Sequence, residues 1–129
     1  MILLWNSADM TSEITLVSDD GMREVVQWEA GRSLAKEMLG YLRDLLEARG
    51  MAFRDIKGIG VFRGPGSYTG LRIALTVLNT FAAAQQVPIV GAIGDAWSDD
   101  CLARLAAGED DKVVLPEYGA DAHITKPRK

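Results

Sequence analysis

Histidine and cysteine are almost missing from this sequence of 129 residues, which has one of each. A lone Cys101 excludes an internal disulfide and a cysteine metal cluster. His123, isolated near the end, excludes a histidine-based metal or catalytic centre. Long hydrophobic runs are also lacking, since no stretch approaches the roughly 18 apolar residues of a membrane span. Met1-Ile2-Leu3-Leu4-Trp5-Asn6 carries neither the basic region nor the cleavage site of a secretory signal, which points to a cytoplasmic protein. Positive charge is not in excess. Lys and Arg number 14 against 18 Asp and Glu, a net charge of −4, so the chain is not expected to grip nucleic acid by itself.

What is present suits one globular domain, with 48% hydrophobic and 25% charged residues. Ile2 to Trp5 reads as a central strand. Glu13 to Val17 and Met22 to Trp28 read as two more, joined in a hairpin by Asp19-Asp20-Gly21. A helix is expected over 33–49, capped by Ser33 and ended by Gly50. Its apolar stripe is Leu34, Met38, Leu42 and Leu45, with Leu39 and Leu46 forming a second line. Gly58 to Phe62 alternates as a strand. A helix over 69–86 follows, with Arg72 its only charged residue, and apolar positions nearly all round it imply burial on more than one side. Ile89 to Ile93 completes a βαβ unit. Asp95 or Ser98 is positioned to cap a third helix carrying Trp97, Cys101, Leu102 and Leu105. Gly108-Glu109-Asp110-Asp111 reads as a solvated acidic turn, Val113-Val114-Leu115 as a last edge strand, and 116–129 as an extended tail.

Between strand and helix lies Arg63-Gly64-Pro65-Gly66-Ser67-Tyr68-Thr69-Gly70-Leu71-Arg72-Ile73. A glycine-rich turn opening a helix has two readings. One is an anion cradle of backbone N–H groups, with Gly64, Gly66 and Ser67 as the candidate ligands. The other is a tight joint that lets the helix pack closely on the sheet, with Ser67 or Thr69 as its cap. No Gly-Lys-Ser/Thr follows, so this is not a Walker A loop, and the glycine spacing is one residue longer than the dinucleotide fingerprint. Nothing positions a histidine beside Ser67.

The same stretch closely resembles the signature GRGPGS(F/Y)TGLRIG of TsaB proteins, the partner subunits of TsaD in bacterial tRNA threonylcarbamoyladenosine synthesis. The similarity covers about residues 1–105, including Gly31-Arg32-Ser33 and Val87-Pro88-Ile89-Val90-Gly91. It implies an α/β fold, a single ribonuclease-H-like lobe of the actin-like ATPase superfamily. The expected sheet is five-stranded and mixed, in the order 3-2-1-4-5, with helices on both sides. Residues 1–115 would form the N-terminal lobe and 116–129 the family's C-terminal tail, with the second lobe of a typical TsaB absent.

Superfamily nucleotide sites lie between two lobes, so a single lobe implies no ATP site and no cofactor of its own. Asn6 stands where the family's first-strand ILAIDTST motif has aspartate, and TsaD's metal-binding histidines have no counterparts. The resemblance therefore implies a non-catalytic subunit. Its helices 33–49 and 69–86 would bind and stabilise TsaD, which transfers the threonylcarbamoyl group to adenosine in tRNA. The expected interface residues are Met38, Leu42, Leu45, Leu46, Arg72, Ile73, Thr76, Val77 and Thr80. A homodimer through the same helices and a larger complex with TsaE are further expectations. The alternative is a self-sufficient nucleotide-binding or hydrolytic member using the 63–70 loop.

Overall fold

A computed structural model describes residues 1–66 and 68–117, with the backbone alone for Tyr68. Five strands form one sheet in the order β3-β2-β1-β4-β5. They are β1 (Ile2–Asn6), β2 (Thr11–Val17), β3 (Arg23–Glu29), β4 (Gly58–Phe62) and β5 (Ile89–Ala92). β1 pairs antiparallel with β2 and parallel with β4, and β4 pairs parallel with β5. The expected mixed sheet and its order are those observed. Two hairpin strands extend one side of β1, and a helical crossover places β5 beyond β4.

Helices α1 (Leu34–Glu47) and α2 (Tyr68–Gln85) cover one face, and α3 (Trp97–Ala106) covers the other. Side chains alternate between these layers. Trp5 meets Trp28 edge to face, and Trp28 stacks on Tyr41 of α1 at 4.3 Å between centroids. The buried indole N–H of Trp5 donates to Ser7 Oγ at 2.8 Å, and Ser7 Oγ is 2.7 Å from Ser12 Oγ. On the opposite face, a Cβ at Gly60 would lie 2.6 Å from Cys101 Cβ. Gly60 therefore lets α3 sit directly on β4.

All three helices end in the same way. Gly50 (φ +71°) donates its N–H to Glu47 O while Met51 N–H donates to Leu46 O. Gln86 (φ +59°) and Val87 repeat this pair on Ala83 and Ala82, and Gly108 (φ +83°) and Glu109 repeat it on Leu105 and Arg104. These are Schellman turns, which satisfy carbonyls that the helix leaves open.

The starts of the helices differ from expectation. Ser33 precedes α1 but makes no side-chain cap bond, because Gly31–Ser33 forms a 3₁₀ turn leading into the helix. Ala96, rather than Asp95 or Ser98, occupies the cap position of α3. Thr69 lies inside α2, and Ser67 lies outside the described residues. Residues 113–115 form no strand. The outer edge of β5 is already occupied: Asp110 Oδ1 accepts from Ile89 N–H, Asp111 Oδ2 accepts from Gly91 N–H, and Asp111 N–H donates to Ile89 O. The 109–111 carboxylates are thus structural, not merely solvated.

Candidate functional site

The glycine loop is filled by its own chain. Gly64 has φ +131°, and any Cβ there would overlap Glu117 O. A Cβ at Gly66 would lie 2.6 Å from Ala8 Cβ. Asn6 Oδ1 accepts the N–H of Ala8 at 2.9 Å, closing the turn that meets Gly66. Arg63 is held on three sides: its N–H donates to Ala92 O, its Nε donates to Leu115 O, and its carbonyl accepts from Glu117 N–H. Glu117 also approaches the Arg63 guanidinium at 3.7 Å. An incoming phosphate would meet the Glu117 backbone and a carboxylate. This geometry is that of a joint. Of the anion-cradle candidates, Gly64 and Gly66 serve backbone packing, while Ser67 is outside the described residues.

The expected helix surface divides in two. Met38, Leu42 and Leu46 are 0% exposed. They form one i, i+4 line with Leu34 that holds α1 against the rest of the core, so they present nothing to a partner. Each fully buried side chain of this kind contributes about 1.5–3 kcal/mol to the fold. Leu45 is half-buried beside that line. Sequence spacing placed Leu45 in the core stripe and Leu46 outside it, and the structure reverses that order.

The α2 residues of that set share one side of the helix. Arg72, Thr76 and Thr80 are exposed and Ile73 and Val77 half-buried. Thr80 donates its hydroxyl to Thr76 O at 3.0 Å, so both groups are satisfied within the helix. Ala35, Thr69, Arg72, Ile73, Thr76 and Val77 line a groove of about 420 Å³. Through Thr69 and Ile73 it continues into a second hollow of about 430 Å³, bordered by Asp9, Met10 and Arg32. Met10 is 69% exposed. It lies between β1 and β2, and no sequence pattern singled it out.

This groove is apolar along its floor, with Arg32, Arg72 and Asp9 around it. That arrangement can seat a ridge of side chains from another protein. Among the described residues, no group of three or more His, Cys, Asp or Glu side chains could hold a metal. No helix among them is long and apolar enough to cross a membrane.

Similarity to known proteins follows the same lines. Residues 11–92 match the family model of TsaD, tRNA N6-adenosine threonylcarbamoyltransferase. The chain is 25% identical to the tRNA threonylcarbamoyladenosine biosynthesis protein TsaB of Escherichia coli (strain K12), over 93% of this chain and 50% of that protein. It is 31% identical to TsaB of Bacillus subtilis (strain 168), over 68% of this chain and 38% of that protein. The chain thus spans half the length of the first relative, and less of the second. A solved structure from Pseudomonas aeruginosa, of a protein described as similar to peptidase YeaZ, superposes with a TM-score of 0.63 at 29% identity. That superposition covers 72% of this chain and 44% of the other. With its sheet order, its signature loop and these relatives in agreement, the chain belongs to the family of TsaD-like domains, as a TsaB-family protein.

Proposed function

We propose that this chain acts in tRNA threonylcarbamoyladenosine synthesis as a non-catalytic subunit that binds and stabilises a TsaD-type partner. The partner performs the threonylcarbamoyl transfer; this chain supplies a docking surface. The reading rests chiefly on the open side of α2, a helix with one charged residue whose groove is left uncovered by the described residues. A helix apolar nearly all round is stable only when both sides are packed. Leu45, Arg72, Ile73, Thr76, Val77 and Thr80 form the proposed contact, with Met38, Leu42 and Leu46 supporting it from beneath.

Co-purification with TsaD from the same organism tests the proposal. Val77→Glu and Ile73→Glu should each abolish the complex while the circular dichroism spectrum stays that of the folded chain. Undiminished TsaD binding by folded Val77→Glu protein would end the proposal. The competing reading, nucleotide binding by the 63–70 loop, predicts heat on titrating the chain with ATP and magnesium. The docking reading predicts none. Glu117 and Ala8, seated against Gly64 and Gly66, support the latter.

A further inference from the structure

β3 stands at one end of the sheet, seven residues long and mostly exposed. The direction of its hydrogen bonds follows from its neighbours. Ser18 N–H donates to Met22 O at 2.9 Å where the hairpin closes. Antiparallel pairs alternate, so the even-numbered residues of β3 exchange bonds with β2. Arg23, Val25, Gln27 and Glu29 therefore aim their N–H and C=O groups away from the sheet. Among the described residues no backbone bond reaches those groups from outside.

The strand is also complementary to itself. In an antiparallel pair centred on Val26, Arg23 lies opposite Glu29 of a second copy and Val25 lies opposite its Gln27. Odd residues face odd residues, so the outward N–H and C=O groups of both strands meet. A shift of two residues either way loses the Arg23–Glu29 pairs. Two ion pairs keep the strand in place without covering its edge. Arg23 Nη2 is 2.8 Å from Asp99 Oδ1 on α3, and Arg49 at the end of α1 holds Glu24. One clamps each face. Exposed edges are usually blunted by proline, bulges or charged side chains. β3 has no proline, pairs along its whole length with β2, and carries its charges, Arg23, Glu24 and Glu29, only towards its two ends.

We infer that β3 is a self-association edge, at which two copies of this chain join antiparallel about a two-fold axis through Val26 into one continuous sheet. Such an interface is isologous, and its affinity comes from main-chain hydrogen bonds. It uses no residue of the α2 groove, so it adds to the proposed TsaD contact without competing with it.

Sedimentation equilibrium of the isolated chain over a wide concentration range tests this, and a reversible dimer is expected. Gln27→Pro removes one outward N–H, which an edge strand tolerates, and should leave a folded monomer. Glu29→Arg places arginine against Arg23 of the other copy. It should weaken the dimer about two- to thirtyfold, since the two-fold axis makes two such pairs and each cross-strand charge pair is worth about 0.2–1 kcal/mol. Adding Arg23→Glu to Glu29→Arg restores opposite charges and should recover the dimer. If Gln27→Pro fails to fold, the charge-swap series decides. The inference is overturned by a chain that stays monomeric at every concentration. It is equally overturned by a dimer that ignores the charge swap and disappears with Val77→Glu, since that dimer would be built on α2.

Discussion

Asn79 grips both backbone polar groups of Val114. Its Nδ2 donates to Val114 O at 2.9 Å, and Val114 N–H donates to its Oδ1 at 2.8 Å. The side-chain amide thus takes the place of a neighbouring strand. It fixes the segment 113–117, whose Val114 is buried against Gly91 and whose Glu117 closes over Gly64.

Removing that amide leaves a partly buried donor and acceptor without their partner. Asn79→Ala should cost about 2 kcal/mol in urea unfolding, and the Val114 amide should lose its protection from hydrogen exchange. Asn79→Asp keeps the acceptor but not the donor, so it should protect Val114 N–H while still destabilising the chain.

Gln86 adopts a left-handed conformation that glycine occupies at the equivalent end of α1 and α3. Left-handed geometry costs a residue with a side chain about 1 kcal/mol relative to glycine. Gln86→Gly should therefore raise the thermal midpoint by several degrees. An unchanged or lower midpoint would show that Gln86 has compensating contacts.

Gly60→Ala would place a methyl group 2.6 Å from Cys101 Cβ and 2.7 Å from Leu4 Cδ2. Overpacking of this kind should cost about 1–3 kcal/mol. Burial pushes the Cys101 thiol up to about 12, so the native protein should react slowly with disulfide reagents near pH 8. Once α3 is pushed off β4, that reaction should accelerate well beyond what global unfolding explains.

Acid should loosen the far edge of the sheet. The Arg104 guanidinium holds the Asp111 carboxyl below its ordinary 3.8, and the Ile89 N–H does the same for Asp110. A carboxyl depressed in the folded state stabilises it above the unfolded value and loses that contribution as pH falls through the folded value. Stability should be level near neutral pH and fall below about pH 3.8, most steeply for the wild-type chain. Asp111→Asn should flatten that fall and be less stable at pH 7.

Sequence patterns carried the sheet and the helices because alternation and helical spacing report directly on two-sided packing. The order of strands, by contrast, came from family resemblance, since nothing in the spacing of Ile2 to Trp5 says which neighbours it takes. Within α1 the Leu45–Leu46 pair was misassigned, as a choice between i+3 and i+4 turns on helix rotation. The Val113-Val114-Leu115 strand failed because propensity sees β-branched side chains but not that Asp110 and Asp111 already occupy the β5 edge. Asn79 gave no local signal at all. Its role exists only once residues distant in sequence have met.

β1 is the earliest of the five strands and yet lies at the middle of the sheet. As the chain is synthesised, β2 and β3 can fold back on it at once, while its other edge waits for β4. Until then Leu3 and Leu4 lack Ile59 and Gly60, the β4 residues beside them, and a row of backbone groups is open to any passing strand. The protein's greatest exposure to aggregation therefore falls on the ribosome, in the interval before β4 emerges. A chaperone that shelters nascent chains should improve its yield more than one that refolds finished protein.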